Sequence, residues 1–444
     1  MITAIEGRFW ERKSWVESAN DPISGFPLQS LPYCSFVSPS NSSGVAHLGV
    51  GIGTFILDLH DVARCGLLAT LSSATQSACM SPHLNELMRS GPDAWSTLRH
   101  MLADLLSEDA SVAQQEAVAA MLVTADAVQF LQPVVVENYT DFYASLHHAT
   151  NVGRLFRPDQ PLLPNYKWIP IGYHGRASSL VIGGTAIRRP HGQIKLSTQD
   201  SPIFASTGQL DYELEVAAYV GTGNSLGSPI SIEVAEGHIF GLSLLNDWSA
   251  RDIQSWEYQP LGPFLGKSFA TSVSPWVVPM AALQPFRVPA YPRPSEDPQP
   301  LPYLSDPSCA QTSGIDITFE VFLATASMRE DSLSPVLLSR GNLRDLYWSF
   351  AQMIAHHTSN GCNLVEGDLL ASGTVSGPHE GSEGSLLEIT RRGTSPVHLP
   401  NGEVRTFLED GDEVVLKGYC EKIGFPRISL GECRGTILSS TPES

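Results

Sequence analysis

The stretch from Leu210 to Gly221, LDYELEVAAYVG, constrains this chain more than any other. Apolar side chains at 210, 212, 214 and 216 alternate with acids at 211, 213 and 215, the period-two pattern of a strand with one buried face. Side chains two apart on a strand share a face and stand about 7 Å apart along it, so Glu213 and Glu215 can lean toward one point. Like charges on one face repel unless water or a cation stands over them. A solvated outer face is the bland reading of these acids, and a cation site is the sharper one.

The rest of the chain bears on that choice. With 444 residues, 42% hydrophobic and only 16% charged, it is a compact globular protein with room for two or three domains. A formal charge of -19 argues against nucleic acid or an anionic membrane as partner, because neutralising phosphates takes clusters of Lys and Arg. The seven cysteines (34, 65, 79, 309, 362, 420, 433) show no CxxC spacing, which fits reduced thiols in a cytoplasmic protein. The first thirty residues are mixed and polar without a signal-peptide core, and no run of 18 apolar residues spans a membrane.

Taken in order, residues 1–25 read as an extension. Residues 26–130 read as an N-terminal domain: β texture to Leu59 with a Ser/Pro/Asn/Gly turn at 38–44, then helices over 81–130, one of them over 112–124. Gly49, Gly51 and Gly53 lack the GxGxxG spacing of a dinucleotide loop. After Pro133 a strand is expected from Val134. Residues 131–444 then alternate short β runs with Gly/Pro turns, among them 168–190, 314–326, 365–376, 385–391 and 412–420. One helix is expected from Asn342, as its cap, to His357. The eight prolines between 284 and 307 describe an extended surface connection. The fold class expected is mainly β (α+β) with few helices.

No nucleophile elbow, HExxH, Walker loop or zinc spacing occurs. The chain offers acids among apolar, Gly-rich surroundings. Asp141 follows YT in YTDFY. Asp247 sits just past the apolar run 239–245, with Arg251 and Gln254 one helical turn apart. Lys267 is the lone charge in LGKSFAT. His148 is by default a structural histidine, and Glu388 an exposed acid in a β run. Asp141, Glu213, Glu215 and Asp247 could converge without any Cys or His ligand, and such all-oxygen ligation suits Ca²⁺ or Mg²⁺.

Those same residues lie in longer motifs: YTDFY (139–143), HATNVG (148–153), GYHGRAS (172–178), ELE (213–215), NDWSARDIQ (246–254), PLGPFLGKS (260–268) and LLASGT (369–374). On these the chain closely resembles the fumarylacetoacetate hydrolase family from about Phe26 to its end, while residues 1–25 and 284–307 look less like it. The resemblance implies a small SH3-like N-terminal barrel and a larger β-roll catalytic domain that dimerises. It implies hydrolysis of the carbon–carbon bond of 4-fumarylacetoacetate to fumarate and acetoacetate. An acylpyruvate hydrolase or oxaloacetate decarboxylase of the same superfamily is the alternative, and an inactive dimeric scaffold the reading of another class.

By the same resemblance Asp141, Glu213, Glu215 and Asp247 hold a divalent metal, with Lys267 and Thr271 at or near a neighbouring magnesium position. His148 is the implied general base and Glu388 the acid that orients it. Arg251, Gln254 and Lys267 stabilise negative charge. Tyr143, Arg157, Tyr173, Arg251, Gln254, Tyr258 and Thr374 line the diketo-acid substrate.

Overall fold

The computed structural model describes residues 9–39 and 44–441; the first eight residues and most of the turn expected at 38–44 lie outside the described residues. Five strands near the N-terminus form one antiparallel sheet, ordered Leu122–Thr124, Phe55–Asp58, His47–Ile52, Tyr33–Val37, Gln129–Leu131. Helices Pro92–Leu106 and Val112–Ala119 pack beside it. The expected 112–124 helix stops at Ala119, and its last residues join the sheet instead. The N-terminal segment is anchored to this unit: Trp10, Val16 and Ala19 are buried, and Ser14 donates to Leu106 O at 2.6 Å.

The larger unit is built on an eight-stranded sheet. Its path runs Gly172–His174, Tyr139–Phe142, Leu369–Ala371, Leu214–Val220, Ile239–Asp247, Thr271–Val273, Leu180–Ile182, with Val278–Pro279 pairing off Ile239–Asp247. A five-stranded sheet that includes Thr318–Ala324, Glu413–Lys422 and Phe425–Leu438 lies against it. Side chains from the two sheets interlock at Leu244 and Trp248.

This layering corrects the reading of the opening stretch. Val216, Ala218 and Val220 face the second sheet, in a core shared with Leu416 and Cys433. Ala217 and Tyr219 face the other way, into a core shared with Leu48, Leu98 and Leu102 of the N-terminal unit. The strand is therefore buried on both sides, not one, and its acids are not on a solvated face.

Three further expectations give way to local hydrogen bonding. No strand starts at Val134, because the Asn85 side chain takes both the N–H and C=O of Val135; the strand begins at Tyr139. The 342–357 helix is shorter, Phe350–Thr358, since Ser349 and Gln352 form a capping box. Asn342 ends a strand and caps a short 3₁₀ turn. Residues 386–389 are helical with Ser385 as cap, not a β run, as the S-x-x-E spacing allows. The Pro-rich segment is not extended throughout, since 3₁₀ turns occupy Met280–Phe286 and Pro302–Leu304. It is pinned where buried Asp297 meets Tyr347 Oη at 3.1 Å and pairs with Lys167.

Close sheet packing yields a first prediction. A Cβ on Gly435 would stand 2.5 Å from Trp248 Cζ2, and that ring is fully buried. Gly435→Ala should therefore cost about 1–3 kcal/mol of stability, read as a lowered midpoint in denaturant unfolding.

Candidate active site

Strand register brings distant acids onto one face. Asp141 is paired with Ala371 and, on the next strand, Ala371 with Ala217. Glu215 precedes Ala217 by two and shares its face. Glu215 is paired with Leu245, and Asp247 lies two beyond, itself paired with Thr271. All sit on the face whose apolar half meets the N-terminal unit.

Carboxylate oxygens of Asp141, Glu215 and Asp247 lie within 4.8 Å of one another, and all three side chains are buried. Glu215 Oε2 accepts from Gly373 N at 3.0 Å, while Asp141 Oδ1 and Glu215 Oε1 have no hydrogen-bond partner. Gly373 is required there: its φ is +73°, and a Cβ would stand 2.1 Å from Phe142 O. Asp247 accepts from Lys267 Nζ at 2.6 Å, Thr271 Oγ1 at 2.8 Å and Tyr173 Oη at 3.4 Å.

Glu213 is buried beside the three, but both its oxygens are taken. Arg251 Nη1 donates to Oε1 at 2.6 Å and Lys267 Nζ to Oε2 at 2.5 Å. Arg251 also reaches Gln254 Oε1 at 3.2 Å and Asp211 at 2.9 Å. Asp211, Asp141, Glu213, Glu215 and Asp247 thus face two cations, Arg251 and Lys267.

The charge imbalance shows in protonation. Burial, then the Asp247 charge, pushes Asp141 up to about 8 despite Lys267. Burial and the neighbouring carboxylates raise Glu215 well above the carboxylate range. Burial also raises Asp247, against Lys267. Glu213 goes the other way: Lys267 and Arg251 outweigh its burial and hold it below the usual range. Two orphaned carboxylate oxygens in an acid-rich, cation-poor pocket fit a hard divalent cation. Asp141, Glu215 and Asp247 are placed to hold it directly, with Glu213 next to them.

A second group adjoins the acids. His148 is buried in the first turn of Leu146–Phe156, capped by Ser145. Its Nδ1 is 2.7 Å from Glu388 Oε2, and Glu388 also accepts from Ser376 Oγ and Ser385 Oγ at 2.9 Å and from Asn151 Nδ2 at 3.0 Å. Burial would raise Glu388, but the His148 imidazole and these donors hold it low. Glu388 is therefore buried, not exposed as its sequence setting implied. The His148 charge is close enough to Glu213 to lower its pKa, and the Tyr143 ring stands edge-on to His148 at 5.3 Å.

The remaining residues are spread more widely. Thr374 is buried, with Oγ1 unpartnered. Arg157 ends the His148 helix, and its Nη2 donates to Pro161 O at 3.3 Å while its charge acts on Tyr143. Tyr258, at the start of an exposed turn, has Gln259 as its hydrogen-bond partner and makes no hydrogen bond to the acids. Sequence reasoning missed Asp211, Asn151, Ser376 and Ser385. Asp211 was visible only as an acid of the opening stretch and Asn151 only inside HATNVG, while the Ser385-x-x-Glu388 capping spacing signalled Ser385. A separate group, His47, Asp58 and His60, gathers in the N-terminal unit, where Asp58 caps the helix Leu59–Arg64 and bonds His47.

Comparison with known proteins gives the family of the chain. Residues 137–438 match the family model described as fumarylacetoacetate (FAA) hydrolase C-terminal, and residues 29–133 match fumarylacetoacetase N-terminal. The chain is 46% identical over 433 residues to the fumarylacetoacetase of Bos taurus, covering 96% of this chain and 98% of that one. It is 45% identical to that of Arabidopsis thaliana (97% and 99%) and 45% identical to that of Homo sapiens (96% and 98%). A solved fumarylacetoacetate hydrolase from psychrophilic Exiguobacterium antarcticum shares the fold at a TM-score of 0.50 and 17% identity, over 92% of this chain and all of that one. The chain belongs to the fumarylacetoacetate hydrolase family.

Proposed function

We propose that this chain hydrolyses 4-fumarylacetoacetate to fumarate and acetoacetate, with His148 as general base beside a divalent cation held by Asp141, Glu215 and Asp247. The observation that carries this assignment is the meeting of three buried carboxylates, two with orphaned oxygens, next to a His–Glu pair. The near full-length identity to fumarylacetoacetases supports the substrate.

Breaking the carbon–carbon bond of a 1,3-diketone with water needs a hydroxide equivalent and a place for the electron pair. His148 takes a proton from water at Nε2, since Glu388 occupies Nδ1 and fixes the tautomer. The new carbon–oxygen bond forms at the carbonyl on the fumaroyl side. The carbon–carbon bond then breaks, and its electron pair leaves as the acetoacetate enolate, which is protonated to product. Arg251 and Lys267, with Gln254, carry the negative charge that develops, each such donor being worth about 3–4 kcal/mol. A bound divalent cation, Ca²⁺ or Mg²⁺, would act as Lewis acid toward the diketone oxygens. Tyr143, Arg157, Tyr173, Tyr258 and Thr374 are assigned to substrate, and Lys267 and Thr271 to the edge of the metal site.

The assignment extends to a homodimer in the cytoplasm. Exposed Phe204, Leu261 and Phe264 support an interface, and the six described cysteines, all unpaired, support the compartment. No helix among the described residues is long and apolar enough to cross a membrane.

Turnover of fumarylacetoacetate by the metal-loaded protein, set against acylpyruvates and oxaloacetate, tests the substrate. A preference for fumarylacetoacetate is expected; a preference for either of the others would reassign it. Metal uptake supplies another prediction. Asp141 must lose a proton to bind a cation, and burial with the Asp247 charge holds that proton on in the metal-free protein well above the usual carboxylate range. Affinity should therefore rise with pH through neutrality, as the raised carboxyls of Asp141 and Glu215 give up their protons. Calorimetry in buffers of different ionisation enthalpy should show net proton release at pH 7.

A further inference from the structure

Asp211 is an acid of the opening stretch to which the mechanism gives no part, yet it is fully buried. It is paired with Ser249 across two short strands, two residues before Arg251. Arg251 Nε donates to Asp211 Oδ2 at 2.9 Å, and Arg251 Nη2 lies 2.8 Å from the same oxygen. That leaves Nη1 for Glu213 and Gln254. The same carboxylate accepts from Leu386 N on Oδ1 at 2.8 Å and from Leu387 N on Oδ2 at 3.0 Å. Tyr212 N adds a further bond to Oδ1 at 2.8 Å. Leu386 and Leu387 open the short helix that carries Glu388, the partner of His148.

We infer that Asp211 is a positioning residue that ties the charge-stabilising Arg251 and the His148–Glu388 base pair to one buried anchor. A buried carboxylate with this many donors is held rigidly, and each donor that loses it is left unpaired in a dry setting. Both arms then take their geometry from one group that touches no reacting atom. An asparagine offers one acceptor oxygen, so its Nδ2 would face donors that Oδ1 or Oδ2 now satisfies. This inference rests on the roles given to Arg251 and His148 above.

The test compares wild type with Asp211→Asn as full-length, metal-loaded protein. Fumarylacetoacetate kcat should fall by about 30-fold with KM within about threefold, and metal affinity should be unchanged. Amide exchange over residues 383–392 should speed by about tenfold. Arg251→Lys, with Asp211 in place, is the second variant, read by exchange alone. It should also speed exchange at 386–389, which Arg251 does not hydrogen-bond. The inference is overturned if Asp211→Asn loses activity only in step with its folded fraction, or if Arg251→Lys leaves exchange at 386–389 as in wild type. Should Asp211→Asn not fold, the Arg251→Lys result decides. A wild type inactive on fumarylacetoacetate would defeat the substrate assignment, while the exchange measurements would still judge the anchor.

Discussion

His148→Ala should lower kcat for fumarylacetoacetate by about 10³–10⁴-fold, near the upper end of what a positioned base contributes. The imidazole is held on Nδ1 by Glu388, which is itself fixed by Ser376, Ser385 and Asn151. Little reorganisation remains to be done at the moment of proton transfer, so removing the ring removes most of that benefit. The metal should stay, because His148 is not one of the three converging acids. Activity, metal titration and thermal unfolding measured on one preparation separate these effects. Hydrolysis near the wild-type rate would dismiss His148 as the base. Glu388→Gln should cost a comparable factor in kcat, since an amide N–H turned to Nδ1 leaves the proton on Nε2 and the ring can no longer act as base.

Glu215→Gln should weaken divalent metal binding by more than about 100-fold and abolish turnover at ordinary metal concentrations. Its Oε1 is one of the two orphaned oxygens, and its Oε2 is positioned by Gly373. The variant carries a second signature. In the metal-free wild type, burial and neighbouring acids raise the Glu215 pKa above its unfolded value. Stability from that group is present at low pH and is lost as pH rises toward the raised pKa. Glutamine does not ionise, so stability of the metal-free variant should fall less steeply above about pH 5 than that of wild type. Denaturant titrations at several pH values, with and without chelator, read both effects. Unchanged metal affinity would remove Glu215 from the ligand set. Glu213→Gln should behave differently: it disturbs Arg251 and Lys267 first, and its effect on metal affinity should be the smaller of the two.

Much of the fold was legible because periodicity reports burial. The alternation at 210–216 marked real β structure, though the chain breaks at Tyr212 and Glu213 into Leu210–Asp211 and Leu214–Val220, which lie in different sheets. The Gly/Pro punctuation marked the β-rich unit. What alternation could not show was the second covering layer. A strand buried on both faces can carry acids on one of them if the strand also passes a site, and only the packing of the N-terminal unit against Ala217 and Tyr219 reveals that. Val134 to Val136 fooled propensity because one side chain, Asn85, occupies the backbone that a ladder would use. Glu388 looked like an exposed strand acid because its helix is a single turn, too short to leave a periodic trace.

The site was legible unevenly. Asp141, Glu215 and Asp247 stood out as acids in apolar company, and strand register brings them together. Glu213 stood out for the same reason, but its fate depends on two cations that reach it from 38 and 54 residues away. Asp211 was visible as the first acid of the stretch, but nothing local distinguishes an anchor for Arg251 from a solvated carboxylate. Such long-range pairings leave no spacing in the sequence to read.

One measurement bears on all of this at once: an anomalous difference map from crystals grown with Mn²⁺ as the divalent probe. A single strong peak bonded to carboxylate oxygens of Asp141, Glu215 and Asp247, with His148 facing the same cavity, is the expected result. A peak at other residues, or no peak at these three under saturating metal, would contradict it.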